Sequence, residues 1–294
     1  TGPLVFRSSP IAPGAIKWIV PLGNLNPPDH TTPTDHIYFY FADPDAGQSP
    51  VALRTDFFAP ADGTVTDVLA NSTTTDRKVR VQVNSTVFFY VDHLTPGVAL
   101  ARGTTISAGT KLGTTGLANA IDLGVIDQSL TLPGLINPAR YNGDTLHTDA
   151  PLKYFAEPLR SQLYAKVRRI GADLDGKIDY DIPGRLVGNW FGERDQAPLT
   201  FAYDTYDPAR VRIGIASDLA LTGVFAIAAT DPLPRDVSVA SGLVSYTVAR
   251  ARGGGALGHL LVQMLDDARI RVELVVPAGA PATAFTAAAR IFLR

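Results

Sequence analysis

Three stretches of the chain alternate apolar and polar positions with a period of two. Val79, Val81 and Val83 enclose Arg80 and Gln82, and Val211, Ile213 and Ile215 repeat the spacing. Ile270, Val272 and Leu274 enclose Arg271 and Glu273. Side chains of a strand point alternately to opposite faces, so each pattern predicts a strand with one buried face. Shorter apolar runs are separated by 26 glycines and 22 prolines, the punctuation of many strands joined by turns. One segment predicts helix instead. Leu159, Leu163 and Val167 recur at spacing four behind Pro158, with Lys166, Arg168 and Arg169 at the end where positive charge suits the helix dipole, and Gly171 beyond. The chain is therefore expected to be all-β, with one connecting α-helix over about 158–169. The helix suggests two domains, 1–170 and 171–294.

In the second domain Gly184-Arg185-Leu186-Val187-Gly188-Asn189-Trp190-Phe191 reads as a strand start. Further apolar runs continue to Arg290-Ile291-Phe292-Leu293-Arg294, the pattern of a β-sandwich or β-barrel. Trp190 is expected in its core. Arg252-Gly253-Gly254-Gly255-Ala256 reads as a hairpin loop, because no helix follows that would make it a phosphate cradle. No short-period repeat is visible, and nothing in this half assembles a catalytic constellation.

Composition narrows the function classes. At 294 residues, 46% hydrophobic, 18% charged and net charge −2, the chain has neither the basic excess of a nucleic-acid binder nor an apolar run long enough for a transmembrane segment. With no cysteine, disulfides, thiolate catalysis and Cys-based metal sites are excluded. The single methionine is Met264, so Thr1 is read as the start of a processed or trimmed form, which leaves room for a removed signal peptide.

The candidate chemistry begins at Phe88-Phe89-Tyr90-Val91-Asp92-His93-Leu94, where a histidine closes an apolar strand. Glycines follow at Gly103, Gly109, Gly113 and Gly116, and Asp56-Phe57-Phe58-Ala59-Pro60-Ala61-Asp62-Gly63-Thr64-Val65 precedes, with Gly63 expected at a turn of positive φ. Over roughly residues 30–140 this order resembles the LytM-type zinc endopeptidases (the M23 family, with a duplicated hybrid motif fold); the C-terminal domain resembles no family we recognise. The resemblance implies a LytM-like β-barrel or sandwich for the first domain. It also implies a metal held by the His and Asp of an "HxxxD" element and the second His of an "HxH", assisted by the His of "YxHL". His93 is the "YxHL" histidine and so the residual catalytic candidate.

The ends of the pattern differ. Four residues after His36 stands Tyr40, and four after His30 stands Thr34, where the pattern has Asp. Asp122 and Gly124 stand where the two histidines of "HxH" belong, and glycine has no ligand atom. Two readings follow. In the first, the domain is a pseudo-peptidase without metal, whose groove is lined by His36, Tyr40, His93 and Asp122. It binds a peptide or peptidoglycan-like glycopeptide, or a partner hydrolase, in the periplasm or cell envelope or as a secreted protein. In the second, a remodelled zinc site forms from His36, Asp122 and His93, helped by Asp35, since His and Asp are competent zinc ligands. A purely structural module, its groove plugged by segment 117–135, is the third possibility. His30, His147 and His259 read as structural or solvent-exposed. Asp173, Asp175 and Asp179 are similar to part of a calcium loop, but Gly171 and Ile182 stand where its end ligands belong, so calcium is not expected there.

Overall fold

The computed structural model describes residues 5–41, 54–71, 75–115, 119–216, 219–251, 253–279 and 282–294. Gly116, Arg252 and the start of segment 117–135 lie outside them. The chain forms two compact units. The first comprises 1–22, 35–131 and 143–176; the second comprises 23–34, 132–142 and 177–294. Both are β structures, and among the described residues no helix is long and apolar enough to cross a membrane.

The first unit holds strands β1 (Trp18–Val20), β2 (Ile37–Tyr40), β3 (Asp56–Phe58), β4 (Gly63–Ala70), β5 (Arg77–Gln82), β6 (Val87–Pro96), β7 (Thr105–Ile106), β8 (Lys111–Thr115), β9 (Ala120–Asp127) and β10 (Thr148–Asp149). They make one antiparallel sheet in the order β1-β2-β9-β6-β5-β4-β7, with β10 on β9 and with β8 joining β3 to β6. The register gives the sheet two different faces. Ile19, Phe39, Ile121, Leu123, Val125, Phe89, Val91, Val79 and Val81 are almost wholly buried on one. The alternate positions, Trp18, Tyr38, Tyr40, Asp122, Gly124, Tyr90, Phe88 and Arg80, share the other.

Three local expectations are revised. The helix α1 spans only Leu159–Tyr164, because the backbone beyond it is taken by β1: Ile19 N donates to Lys166 O and Arg168 N to Ile19 O. Gly63 opens β4 rather than occupying a left-handed turn. Its missing side chain matters because a Cβ there would lie 2.6 Å from the Gln82 carbonyl of β5. His93 does not end its strand. It adopts φ 62° inside β6, at the point where β6 stops pairing with β9 (through Asp92) and starts pairing with β8 (from Leu94).

The second unit is a closed eight-stranded antiparallel barrel, choosing between the two architectures the sequence allowed. Its strands are β11 (Gly188–Gly192), β12 (Pro198–Tyr203), β13 (Val211–Ile215), β14 (Gly223–Ile227), β15 (Leu243–Arg250), β16 (Ala256–Met264), β17 (Arg269–Val275) and β18 (Arg290–Leu293). Each pairs with the next, and β18 pairs back to β11 through Phe191–Leu293. The interior is filled by alternating apolar residues, among them Trp190, Phe201, Tyr246, Ile213, Val272 and Phe292. Eight strands enclose a space that side chains of this size occupy. Arg294 latches one end. Its guanidinium lies 4.0 Å over the Trp190 ring and donates to the carbonyls of Ile182, Arg185 and Val187.

Candidate functional site

The polar face of the first sheet carries most of the residues singled out by sequence. His36 immediately precedes β2 and shares a face with Tyr38 and Tyr40, since residues two apart point the same way. Asp122 lies on β9 opposite Tyr38 on one side and Asp92 of β6 on the other. These registers draw the candidates into one chain of contacts. Asp122 Oδ2 is 3.4 Å from His36 Nε2 and 3.6 Å from His93 Nε2. Beyond His36, its Nδ1 is 3.0 Å from Asp35 Oδ1, and Asp35 Oδ2 accepts a 2.8 Å hydrogen bond from the Thr145 hydroxyl. Beyond His93, its Nδ1 is 2.8 Å from Asp76 Oδ2. Carboxylate and imidazole thus alternate from Asp76 to Asp35, with Asp122 and His36 buried and His93 half-exposed.

Tyr40 is not part of this chain. Its ring stacks on Trp18 at 5.4 Å and 23°, and Arg168 covers Trp18 at 4.6 Å. Lys78 and Arg80 lie over the rings of Tyr90 and Phe88, at 3.8 Å and 4.3 Å. Aromatic rings paired with cations therefore flank the ionic chain on both sides.

Two residues of the site have roles that no sequence pattern announced. Tyr90 pairs with Gly124 across β6 and β9, and its ring occupies the space a side chain would need: a Cβ on Gly124 would lie 2.2 Å from it. Its hydroxyl donates to Asp35 Oδ1 at 2.7 Å and lies 3.2 Å from His36 Nδ1. Asp76, just before β5, is the buried partner of His93. Tyr90 stands three residues before His93, in the stretch that marked it, but its partner across the sheet becomes visible only once the register is known. Asp76 sits in a polar stretch with no distinguishing spacing.

The charge states follow from the surroundings. Burial works against the imidazolium of His36, but the Asp122 charge and the Asp35 hydrogen bond and charge outweigh it, and its pKa is raised above the ordinary 6.5. His93 is raised likewise: burial opposes its charge, while Asp122, Asp76 and Asp92 favour it. Burial also opposes the Asp35 carboxylate, yet donors from His36, Tyr90 and Thr145 hold it well below the usual range. Burial and the Asp35 and Asp122 charges push the Tyr90 phenol well above 10, so it remains a donor. Two cationic imidazoles, each bonded to a carboxylate through Nδ1 and facing Asp122 through Nε2, describe the site at mildly acidic pH, with the Tyr38 hydroxyl 3.1 Å from His36 Nε2.

The ligand set of the zinc that the sequence resemblance implies is not complete at these positions. Of the three family ligand positions, one holds Tyr40, engaged with Trp18, and one holds Gly124, whose side-chain space belongs to Tyr90. Asp35 and Asp122 approach opposite nitrogens of the His36 ring, and one ion cannot use both nitrogens, so His36, Asp35 and Asp122 do not converge on a common point. The remaining singled-out residues have separate partners. His147 Nδ1 is bonded to the Leu130 carbonyl, His259 Nε2 lies 3.0 Å from the Gly279 carbonyl, and His30 forms a bridge with Asn26. Asp173 pairs with Arg169, Asp175 accepts from the Tyr164 hydroxyl, and Asp179 accepts from Gly134 N.

No family model matches the chain, and no curated protein matches it. Among solved structures it is similar to Helicobacter pylori Csd3, at 14% identity and a TM-score of 0.35, over 52% of this chain and 35% of that one. It is similar to a zinc-containing peptidase from Vibrio cholerae at 18% identity, with a TM-score of 0.32, over 42% of this chain and 37% of the other. For the M23 metalloprotease pseudoalterin from the deep sea, identity is 14% and the TM-score 0.29, over 53% and 90% of the two chains. The chain spans about a third of the length of the first two proteins.

Proposed function

We propose that the first unit is a non-catalytic binding module of LytM type, which holds a peptide or cell-wall glycopeptide against the polar face of its sheet in the bacterial envelope. The single observation supporting a non-catalytic reading is the Tyr90 ring over Gly124. A phenol stands where the hydrolytic pattern needs a third ligand, and its hydroxyl is bonded into the Asp35–His36 pair. The ligand class is supported by the motif order of residues 56–113 together with the character of the face. The half-buried Trp18 and Tyr40 rings offer apolar edges, the cations over the rings offer donors, and the half-exposed His93 is the open end of the ionic chain, a surface suited to amides, carboxylates and sugar hydroxyls.

A second reading, a hydrolase using His36, His93 and Asp122, is favoured by the approach of both Nε2 atoms to one carboxylate oxygen. Co-sedimentation with purified bacterial cell-wall sacculi separates the two, run once in chelator and once with added zinc, with soluble fragments assayed in each supernatant. The expected result is sedimentation with the wall under both conditions and no release of fragments. Zinc-dependent release that disappears in His36→Ala would overturn the non-catalytic reading; absence from the pellet under both conditions would overturn the binding.

A further inference from the structure

The outer end of the ionic chain carries more negative charge than its partners balance. Asp76 and Asp92 lie beside His93, which also faces Asp122 and offers one positive charge at most, while Asp122 is shared with His36. Among the described residues, Asp76, Asp92 and His93 form a group whose donor atoms all lie within 4.8 Å of one another. The Asp76 side chain is only 8% exposed; its Oδ2 faces His93 Nδ1 at 2.8 Å, while its Oδ1 is buried without a hydrogen-bond partner. A buried carboxylate oxygen left unpaired is destabilising, and a bound cation satisfies it while also offsetting its charge. Asp92 uses Oδ1 to accept from Asn71 Nδ2 and from the His93 backbone N, which fixes the carboxylate beside the ring. His93 is 37% exposed, so the group opens to solvent on one side and an ion can enter.

We propose that Asp76, Asp92 and Nδ1 of His93 bind a divalent transition-metal ion, Zn2+ by its donor set, at a place distinct from the His36 position of the hydrolytic pattern. One imidazole and two carboxylates suit zinc, and three protein donors leave a position for water or for an oxygen of a ligand. The ion replaces the proton shared by His93 Nδ1 and Asp76, and it offsets the repulsion among the three carboxylates. This site stands independently of the glycopeptide reading, since wall binding is scored in chelator as well as in zinc.

The test is calorimetric titration of the chelator-stripped full chain with ZnCl2, with thermal unfolding and the Co2+ absorption spectrum recorded in parallel. The expected result is one saturable equivalent, a higher Tm in zinc, and a fall in affinity of about tenfold or more in Asp76→Asn and in Asp92→Asn. Asp92 is half-buried, and its amide analogue keeps the acceptor for Asn71 and the His93 backbone, so Asp92→Asn reports on the metal even if Asp76→Asn unfolds the chain. Absence of one-to-one binding, or affinity unchanged in Asp92→Asn, overturns the proposal. So does zinc that is lost in His36→Gln and retained in Asp92→Asn, which moves the ion to the His36 position.

Discussion

At position 124 the chain carries no side chain, and the Tyr90 ring uses the space. An added Cβ would sit 2.2 Å from that ring, far inside van der Waals contact. Gly124→Ala is therefore expected to displace Tyr90 and to destabilise the first unit by about 1–3 kcal/mol, as overpacking of a tight site does. Combined with Tyr90→Leu, the two effects should be clearly less than additive. Urea titration of the single and double variants measures this, and strict additivity would show that the two positions do not share a space. His36 yields a pH prediction. Its folded pKa is raised, so its stabilising contribution is complete below the unfolded value of 6.5 and is lost as pH rises through the folded one. Asp35 runs the other way: its pKa is depressed, and its contribution disappears only as pH falls through and below the ordinary 3.8. Urea midpoints measured in chelator should decline from pH 6.5 upward, and His36→Gln should flatten that decline. An identical slope in the variant would mean the decline comes from another group.

The alternating patterns at Val79 and Val81, at Val211–Ile215 and at Ile270–Leu274 fall on β5, β13 and β17, with the apolar members buried. Burial of every second residue is a local property, which makes it readable from spacing alone; that Arg212 and Gly214 of β13 and Glu273 of β17 are buried as well is not. Val83 already lies beyond β5, and strands of two or three residues such as β1, β7 and β10 are too short to show a period. The site was legible in the same partial way. The motif around His93 led to His36 and Asp122, whereas Asp76 and Tyr90 depend on pairing across strands. At this scale the latch on β18 makes its own prediction. The Arg294 side chain is 3% exposed, stacks on Trp190, bonds three carbonyls and lies 4.0 Å from Asp181. Arg294→Met keeps bulk over the ring but strands those acceptors, and should lower barrel stability by about 3 kcal/mol. The two tryptophans, Trp18 and Trp190, lie in different units, so a Trp18→Phe background lets fluorescence follow the barrel alone. A loss under about 1 kcal/mol would show that the stacking, not the charge, holds the latch.

Across the whole chain, the grouping of segments is the property least visible in sequence. Residues 23–34 and 132–142 belong with the barrel although most of their neighbours in sequence do not. What assigns them is distant contact: Asp181 N donates to the Gly134 carbonyl, and a Cβ on Gly214 of β13 would press on the Thr31 carbonyl. No periodicity encodes such a pairing. Barrel closure is of the same kind, and its consequence is kinetic. Seven of the eight seams join strands adjacent in sequence, but the eighth joins Phe191 to Leu293 and closes a loop that runs through the other six strands. The entropy of closing so long a loop is lost before the contact is gained. Until then β11 and β18 each expose an open edge, and the half-built barrel is most vulnerable to pairing with another chain during that interval.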